Sequence, residues 1–281
     1  MLFVCPKCKR KLEILNTSAA CSLGHSYDRA KGGYYNLLLS QSKGIHGDNR
    51  EMILARRAFL STGAYAPLAE AIAEVLLTST ERLPAVLDAG CGEGYYTDII
   101  ERALAARDGE SRVSGFDISK DAVREAAKKN KRLSLAVAGS YRMPIEDGSV
   151  DALVNVFSPL AISETRRVLC EGGLFIMAIP DEEHLFELKE ILYDTPYKNT
   201  VENTVPEGFF AVSEKRLRYT VFLDTKEKIA SLFMMTPYAY RTRPENAKRI
   251  DSLTSLSVTA DFRILIYRKS FACLDKSEYM C

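Results

Sequence analysis

One short stretch limits the fold of this chain more than any other: Ala85-Val-Leu-Asp-Ala-Gly-Cys-Gly-Glu-Gly-Tyr95. A run with the length and apolarity of a buried strand leads into glycines at alternate positions, Gly90, Gly92 and Gly94. An amphipathic segment from Tyr95 to Ala106 follows, so the glycines lie where a strand hands over to a helix. Glycine tolerates a tight turn and lets backbone approach a ligand with no Cβ in the way. The helix behind it presents unpaired N–H groups. The pattern calls for a sheet whose strand ends face a ligand, but the glycines alone do not name that ligand.

The residues beyond the turn repeat the theme. Strand-like and helix-like runs alternate over Ala85–Ala89, Tyr95–Ala106, Val113–Asp117, Ser119–Lys129, Leu133–Ala138, Ala152–Phe157, Pro159–Leu169 and Leu174–Ile179. This predicts an α/β fold, a Rossmann-like doubly wound parallel sheet with helices on both faces. Helices are also expected over Arg50–Ser61 and Pro67–Leu77, parted by Gly63-Ala-Tyr65-Ala-Pro67. Ser119 and Asp121 have helix-start chemistry, and Glu171-Gly-Gly is expected to close the preceding helix as a C-cap. Asp117 ends a strand roughly 20 residues past the turn, where a carboxylate accepts hydrogen bonds from a ribose. At this point either a dinucleotide or S-adenosylmethionine fits.

The first residues carry a different chemistry. Cys5-Pro-Lys-Cys8 is followed, after twelve intervening residues, by Cys21-Ser-Leu-Gly-His25. Two knuckles of this kind give a closed tetrahedral Cys₃His set, which is the pattern of a structural zinc site with no position left for substrate. A module so short buries too little apolar surface to fold alone, so the metal supplies the missing free energy. The chain has seven cysteines, and no signal-peptide pattern follows Met1. Apolar runs such as Ala152–Phe157 are far too short to span a bilayer. These features point to a reducing, cytoplasmic setting with no membrane partner. Residues 1–57 hold ten Lys/Arg against four Asp/Glu, a balance of +6 that leaves −5 for the remainder. Lys7, Lys9, Arg10 and Lys11 crowd the first knuckle, and Tyr27, Tyr34 and Tyr35 follow the second. Such a mixture suits RNA, with phosphates taking the charge and bases the rings. Packing of a minimal core explains the tyrosines equally well. Ser42-Lys-Gly-Ile-His46-Gly-Asp-Asn reads as a linker, with His46 solvated.

Three details favour S-adenosylmethionine. The spacing is Asp88-x-Gly90-x-Gly92-x-Gly94, the third strand runs into Gly139-Ser-Tyr-Arg-Met-Pro144, and Glu164–Leu174 joins a helix to the fifth strand. Over about residues 63–180 the series resembles the class I S-adenosylmethionine-dependent methyltransferases. Class I sheets end in an antiparallel pair, for which Phe209–Leu223 and Ser257–Lys269 are the candidates, with helices over Lys226–Met235 and Pro244–Ser252 between them. A narrower resemblance adds the Cys₃His module, Lys31-Gly-Gly-Tyr-Tyr-Asn-Leu, Met52-Ile-Leu-Ala-Arg-Arg-Ala-Phe-Leu60, Glu183-His-Leu-Phe-Glu-Leu-Lys189 and Met235-Thr-Pro-Tyr-Ala-Tyr240. Together these are similar to the bacterial 23S ribosomal RNA guanine-N1 methyltransferases, which modify a hairpin loop near the peptide exit tunnel.

That resemblance implies zinc on Cys5, Cys8, Cys21 and His25, and cofactor contacts from Tyr65, Gly92, Glu93 and His184. Asp88, Gly90, Gly94 and Asp117 complete the expected cofactor set, while Cys91 reads as a small buried filler. The expected organisation is a zinc-binding RNA-recognition module at 1–35, a connector at 36–62 and a methyltransferase domain at 63–281. The implied partners are a 23S ribosomal RNA hairpin and a second copy of the chain, with no DNA. Guanine N1 carries a proton and is a poor nucleophile, so methyl transfer needs a proton acceptor and alignment of the base. Asn155 and Phe157, after the fourth strand, are the candidates for a base-edge contact and a stacking wall. Phe157 reads equally as core, and Asp181, Glu182 and Glu183 are nearby carboxylates. The rival activity is a small-molecule, quinone-type methyltransferase with an accessory zinc knuckle. A third possibility is an RNA-binding protein retaining only the cofactor fold.

Overall fold

The computed structural model describes residues 2–39, 47–201 and 204–271. His46 and the first part of the expected linker lie outside the described residues. The ligand-facing strand β5 comes fifth in chain order, after β1 (Glu13–Ile14), β2 (Ser18–Ala20), β3 (Ser26–Asp28) and β4 (Tyr35–Asn36). β5 spans Ala85–Ala89, and every one of its residues is buried. It pairs in parallel with β6 (Arg112–Asp117) on one side and β8 (Val150–Val156) on the other, with β7 (Ser134–Val137) beyond β6. β9 (Leu169–Pro180) runs parallel to β8; β11 (Leu256–Lys269) and β10 (Phe209–Leu223) then close that end antiparallel. The chain order reverses about β5, so its C-terminal end opens a crevice at the topological switch point.

The sheet has eight strands in the order β10-β11-β9-β8-β5-β6-β7-β4. Its last member, β4, comes from the N-terminal module: Tyr35 and Asn36 pair in parallel with Ala136 and Val137. The strands β1, β2 and β3 form a separate three-stranded sheet. Tyr35 closes the expected zinc module and Asn36 opens the expected connector, so the chain passes between them within a strand.

A parallel sheet needs both faces covered, and side chains alternate between faces along each strand. Val86, Val113, Val154 and Ile176 join one core with α1 (Arg50–Leu60), α2 (Ala66–Ser79), α3 (Tyr95–Asp108) and α4 (Lys120–Lys129), through residues such as Phe59, Ile72, Leu104 and Val123. Leu87, Phe116, Leu153 and Phe175 face the other way, into a core completed by Val168 of α5 (Ile162–Val168) and by Phe3, Cys5, Leu12 and Leu37. The N-terminal module thus serves as a covering layer for the second face. Phe3 bridges Ile145, the Val4 amide donates to Pro144 O at 2.8 Å, and the Leu37 amide to Val137 O at 2.9 Å.

One expectation needs correction. Glu171-Gly-Gly does not cap a helix. α5 ends at Val168, and Glu171, Gly172 and Gly173 lie within β9, where the register with β8 slips between Val150↔Leu169 and Ala152↔Leu174. Gly172, at φ +71°, absorbs the extra residues as a bulge, which uses the same left-handed conformation as a C-cap. The aromatic question in the module also has an answer: Tyr34 and Tyr35 are buried, on opposite faces of the sheet, and so serve packing.

Phe3 is 1% exposed. Phe3→Ala should therefore destabilise the whole chain by about 3–5 kcal/mol, seen in denaturant unfolding as a single transition that moves as one. A first transition that shifts alone, with the main one unmoved, would contradict this packing.

Candidate active site and metal centre

The metal centre is built from two backbone turns. Residues 5–8 fold back so that the Cys5 amide donates to Arg10 O at 2.8 Å, and the Cys21 amide donates to His25 O at 3.0 Å. The Sγ atoms of Cys5, Cys8 and Cys21 and a ring nitrogen of His25 all lie within 4.8 Å of one another. Cys8 and Cys21 sulfurs are 3.6 Å apart, and His25 Nδ1 is 3.4 Å from Cys21 Sγ and 3.5 Å from Cys5 Sγ. A tetrahedron with zinc–sulfur bonds of about 2.3 Å puts sulfurs about 3.8 Å apart, so the four donors fit a zinc ion closely. Burial alone would raise the Cys5 thiol. Hydrogen bonds from Tyr27 and from the backbone of Cys8 and Lys7 outweigh it and bring the pKa down to about 6.

The second site is a cavity of about 1290 Å³ at the C-terminal ends of β5, β6, β7 and β8. That exceeds the roughly 300–1,000 Å³ of an ordinary small-molecule pocket, which leaves room for a cofactor and a further group. Gly90, Gly92, Glu93, Asp117, Tyr65, His184, Asn155 and Phe157 all line it. Asp88 and Gly94 do not; they hold the turn. Asp88 is buried and accepts the Thr97 hydroxyl at 2.5 Å, while its pKa is pushed up to about 7 by burial, against that hydrogen bond and with help from the Asp117 charge. Gly94 sits at φ +81°, where an added Cβ would lie 2.8 Å from Ala126 Cβ, so it is the point at which α3 passes α4.

Gly92 is different in kind. Its φ is +53°, and the nearest atom to an added Cβ is Arg56 Nη1 at 4.0 Å, so its backbone faces open space. Its amide donates to Asp117 Oδ2 at 3.0 Å, and the Ser119 amide donates to Asp117 Oδ1 at 2.7 Å. The carboxylate thereby borders the cavity with lone pairs left for a ligand. Burial raises its pKa, against those two amide bonds. Glu93 is buried beside Lys129, 3.9 Å away, and burial raises its pKa as well.

Tyr65 and His184 meet. Tyr65 is wedged edge-on between Phe59 and Phe262, and its Oη lies 3.3 Å from His184 Nε2. The Asp261 amide donates to His184 Nδ1 at 3.3 Å, which assigns the ring proton to Nε2 and directs it at Tyr65. Burial lowers the imidazole pKa to about 3. The ring is therefore neutral at physiological pH, and Tyr65 accepts from it with its own hydroxyl proton left to donate. Phe157 is held at φ +54° and is 43% exposed, with its ring stacked on His184 at 6.4 Å and 24°. It is a cavity wall, so the core reading falls away. Asn155 is buried, and its Nδ2 donates to Ala89 O at 2.9 Å. Asp181, Glu182 and Glu183 do not line the cavity. Glu183 is held at a pKa of about 2 by Lys198 and Arg218.

Three features of the site escaped sequence reasoning. Gly47, Asp48 and Arg56 line the cavity; Asp48 is paired with Arg56, and its carbonyl accepts from Ser119 Oγ at 3.0 Å, so the end of the expected linker lies against the Asp117 side of the cavity. Lys189, 1% exposed, donates to Tyr197 O at 2.9 Å and Asn199 Oδ1 at 2.7 Å and pins the cavity-lining loop 197–201. Its signal was visible: a lysine on the apolar stripe of Leu185, Leu188 and Leu192 in Leu185-Phe-Glu-Leu-Lys-Glu-Ile-Leu192. The third is Tyr96, on the first turn of α3 and lining the same cavity.

Comparison with known proteins finds a match for each part of the chain. A family model described as a methyltransferase domain matches residues 86–173, and a zinc-ribbon model described as RlmA, N-terminal, matches residues 3–45. A Streptomyces fradiae protein named 23S rRNA (guanine(748)-N(1))-methyltransferase is 34% identical over 274 residues, covering 91% of this chain and 94% of the relative. A Bacillus subtilis (strain 168) protein, YxjB, is 32% identical over 281 residues, covering 95% of this chain and 97% of its own length; a 23S rRNA guanine-N1 methyltransferase activity is provisionally assigned to it.

Purified protein should contain stoichiometric zinc by atomic absorption, and stripping it with a strong chelator should lower the melting temperature by about 10 °C or more. An unchanged melt would contradict a structural metal. Asp117→Ala removes the carboxylate that borders the cavity and should weaken S-adenosylmethionine binding about 10- to 100-fold in calorimetry. Unaltered affinity would remove Asp117 from the cofactor site.

Proposed function

The chain belongs to the 23S ribosomal RNA guanine-N1 methyltransferases, S-adenosylmethionine-dependent enzymes with a zinc ribbon, and from that premise we propose that its target is a guanine in a hairpin loop near the peptide exit tunnel. The observation that carries the reading is the near full-length match to relatives of that name, which includes the ribbon as well as the methyltransferase body.

In this reading Asp117 holds the ribose of the cofactor. Tyr65, Gly90, Gly92, Glu93 and His184 surround its amino-acid end, while Asp88 and Gly94 keep the turn in shape. When bound, the cofactor supplies an electrophilic methyl group, so the protein's task is alignment and exclusion of water. Phe157 offers a flat apolar surface on which a planar base can lie. A loop guanine leaves its stack at low cost, which makes a hairpin loop a suitable substrate. His184 is a poor proton acceptor for N1: its Nδ1 takes the Asp261 amide and its low pKa disfavours a second ring proton. Asn155, whose amide group supports the Ala89 carbonyl, shapes the strand end beside the base.

Residues 1–35 are the RNA-recognition module, 36–62 the connector and 63–281 the catalytic domain. Lys9 reaches Met143 O at 3.4 Å and Lys11 reaches Glu146 at 3.5 Å, so part of the basic cluster ties the module to the sheet; Lys7 and Arg10 are exposed for phosphate. We place the enzyme in the cytoplasm, acting as a homodimer on 23S ribosomal RNA.

The test is direct. Incubating 23S ribosomal RNA from a strain lacking the enzyme with protein and S-adenosylmethionine, followed by mass-spectrometric mapping, should yield N1-methylguanine at one hairpin-loop position. Methylation at another atom or outside that hairpin, or methyl transfer to quinones alone, would refute the proposal.

A further inference from the structure

Among the described residues, the buried side-chain oxygens and nitrogens without a hydrogen-bond partner are Tyr96 Oη and Thr242 Oγ1. Only the first belongs to a residue lining the cavity. A buried hydroxyl without an acceptor carries an uncompensated desolvation cost, which is tolerated where a ligand completes it. No group among the described residues bonds the Tyr96 hydroxyl. Tyr65 Oη faces His184 Nε2, the Tyr219 hydroxyl donates to Ala64 O at 2.9 Å, Tyr95 lies edge-on at 5.2 Å, and Arg56 is a cation.

The position of Tyr96 says which ligand it meets. It is the second residue of α3, fixed by the glycine turn at Gly94, and its ring stands edge-on to Phe157, 6.4 Å away at 78°. Phe157 is backed by His184 on a stacked face. Both rings line the cavity, so a base stacked on Phe157 lies beside Tyr96. The guanine edge around N1 offers one acceptor, O6, and otherwise donors. As a donor, a phenol matches O6 alone.

Building on the guanine-N1 reading above, we propose that the Tyr96 hydroxyl donates a hydrogen bond to O6 of the target guanine and thereby makes N1 nucleophilic. As the N1–H bond breaks, the proton passes to water and negative charge spreads over N1 and O6. A donor already pointed at O6 stabilises that charge and lowers the N1 pKa. The N1 electron pair then forms the bond to the methyl carbon, and the carbon–sulfur pair returns to sulfur. Burial holds the phenol well above its ordinary pKa, so it remains a donor throughout the working range. The ionisable groups facing it are Tyr65, Tyr95, Tyr219 and Arg56, and none brings a negative charge at neutral pH. Tyr96 is thereby assigned as a catalytic residue through contact with substrate.

The test uses full-length Tyr96→Phe on 23S ribosomal RNA across pH 6.5 to 9.5, with calorimetry of S-adenosylmethionine binding and a thermal melt. The expected result is a kcat about 100-fold lower at neutral pH, with the rise of kcat displaced upward by about one pH unit or more. Cofactor affinity should stay within about twofold, because the lost bond is to the base. The variant should melt at or above the wild-type temperature, since it sheds an unsatisfied hydroxyl. An unchanged kcat, a loss confined to cofactor affinity, or a marked drop in melting temperature would each overturn the assignment. Wild-type protein that forms no N1-methylguanine would instead remove the functional reading beneath it.

Discussion

The parallel pairing of Tyr35 and Asn36 with Ala136 and Val137 is the contact on which the rest of the molecule depends. A doubly wound sheet that left one face in water would expose rows of Leu, Phe and Val. Here the second face is covered mainly by a short helix and the metal-bound N-terminal module. The ion ties the module's two knuckles together, and the module in turn buries Leu87, Phe116 and Phe175 of the sheet. Metal binding is therefore linked to the stability of the strands that carry the cofactor site.

The same economy governs the cavity. The glycine turn at the end of β5 has separate tasks at each glycine: Gly92 faces the ligand, while Gly94 lets α3 pass α4. Asp88, its pKa raised to about 7 by burial, locks the turn by accepting from Thr97. Across the cavity, Asp261 fixes the tautomer of His184, which in turn fixes the hydroxyl of Tyr65. Arg216 binds both Asp261 and Asp181, so the antiparallel pair that closes the sheet also holds the loop carrying His184. The His184–Tyr65 pair thus has its direction set from behind, which is the preorganisation that alignment-based catalysis requires.

Much of this was legible in the residues. Alternating runs foretold the sheet, and Asp117 fell where its spacing from the glycine turn placed it. The zinc ligands were readable because four donors with fixed spacing admit few geometries. Glu171-Gly-Gly misled because a helix cap and a bulge draw on the same positive-φ chemistry, and only strand pairing tells them apart. Tyr34 and Tyr35 left two readings open until the sheet edge buried both. Arg56, Asp48 and Tyr96 were silent, since their roles come from elements far apart in sequence meeting over one cavity. Lys189 was the exception that a closer look at its apolar stripe would have found.

The claim that ties these points together is that ribbon, sheet edge and cavity form one cooperative body. Hydrogen exchange followed by mass spectrometry, comparing zinc-loaded with zinc-stripped protein, tests it most directly. The account predicts that stripping the metal raises exchange over 134–145 and around Asp117 as well as over 3–37. Exchange that rises only over 3–37, with β6 and β7 as protected as before, would contradict it.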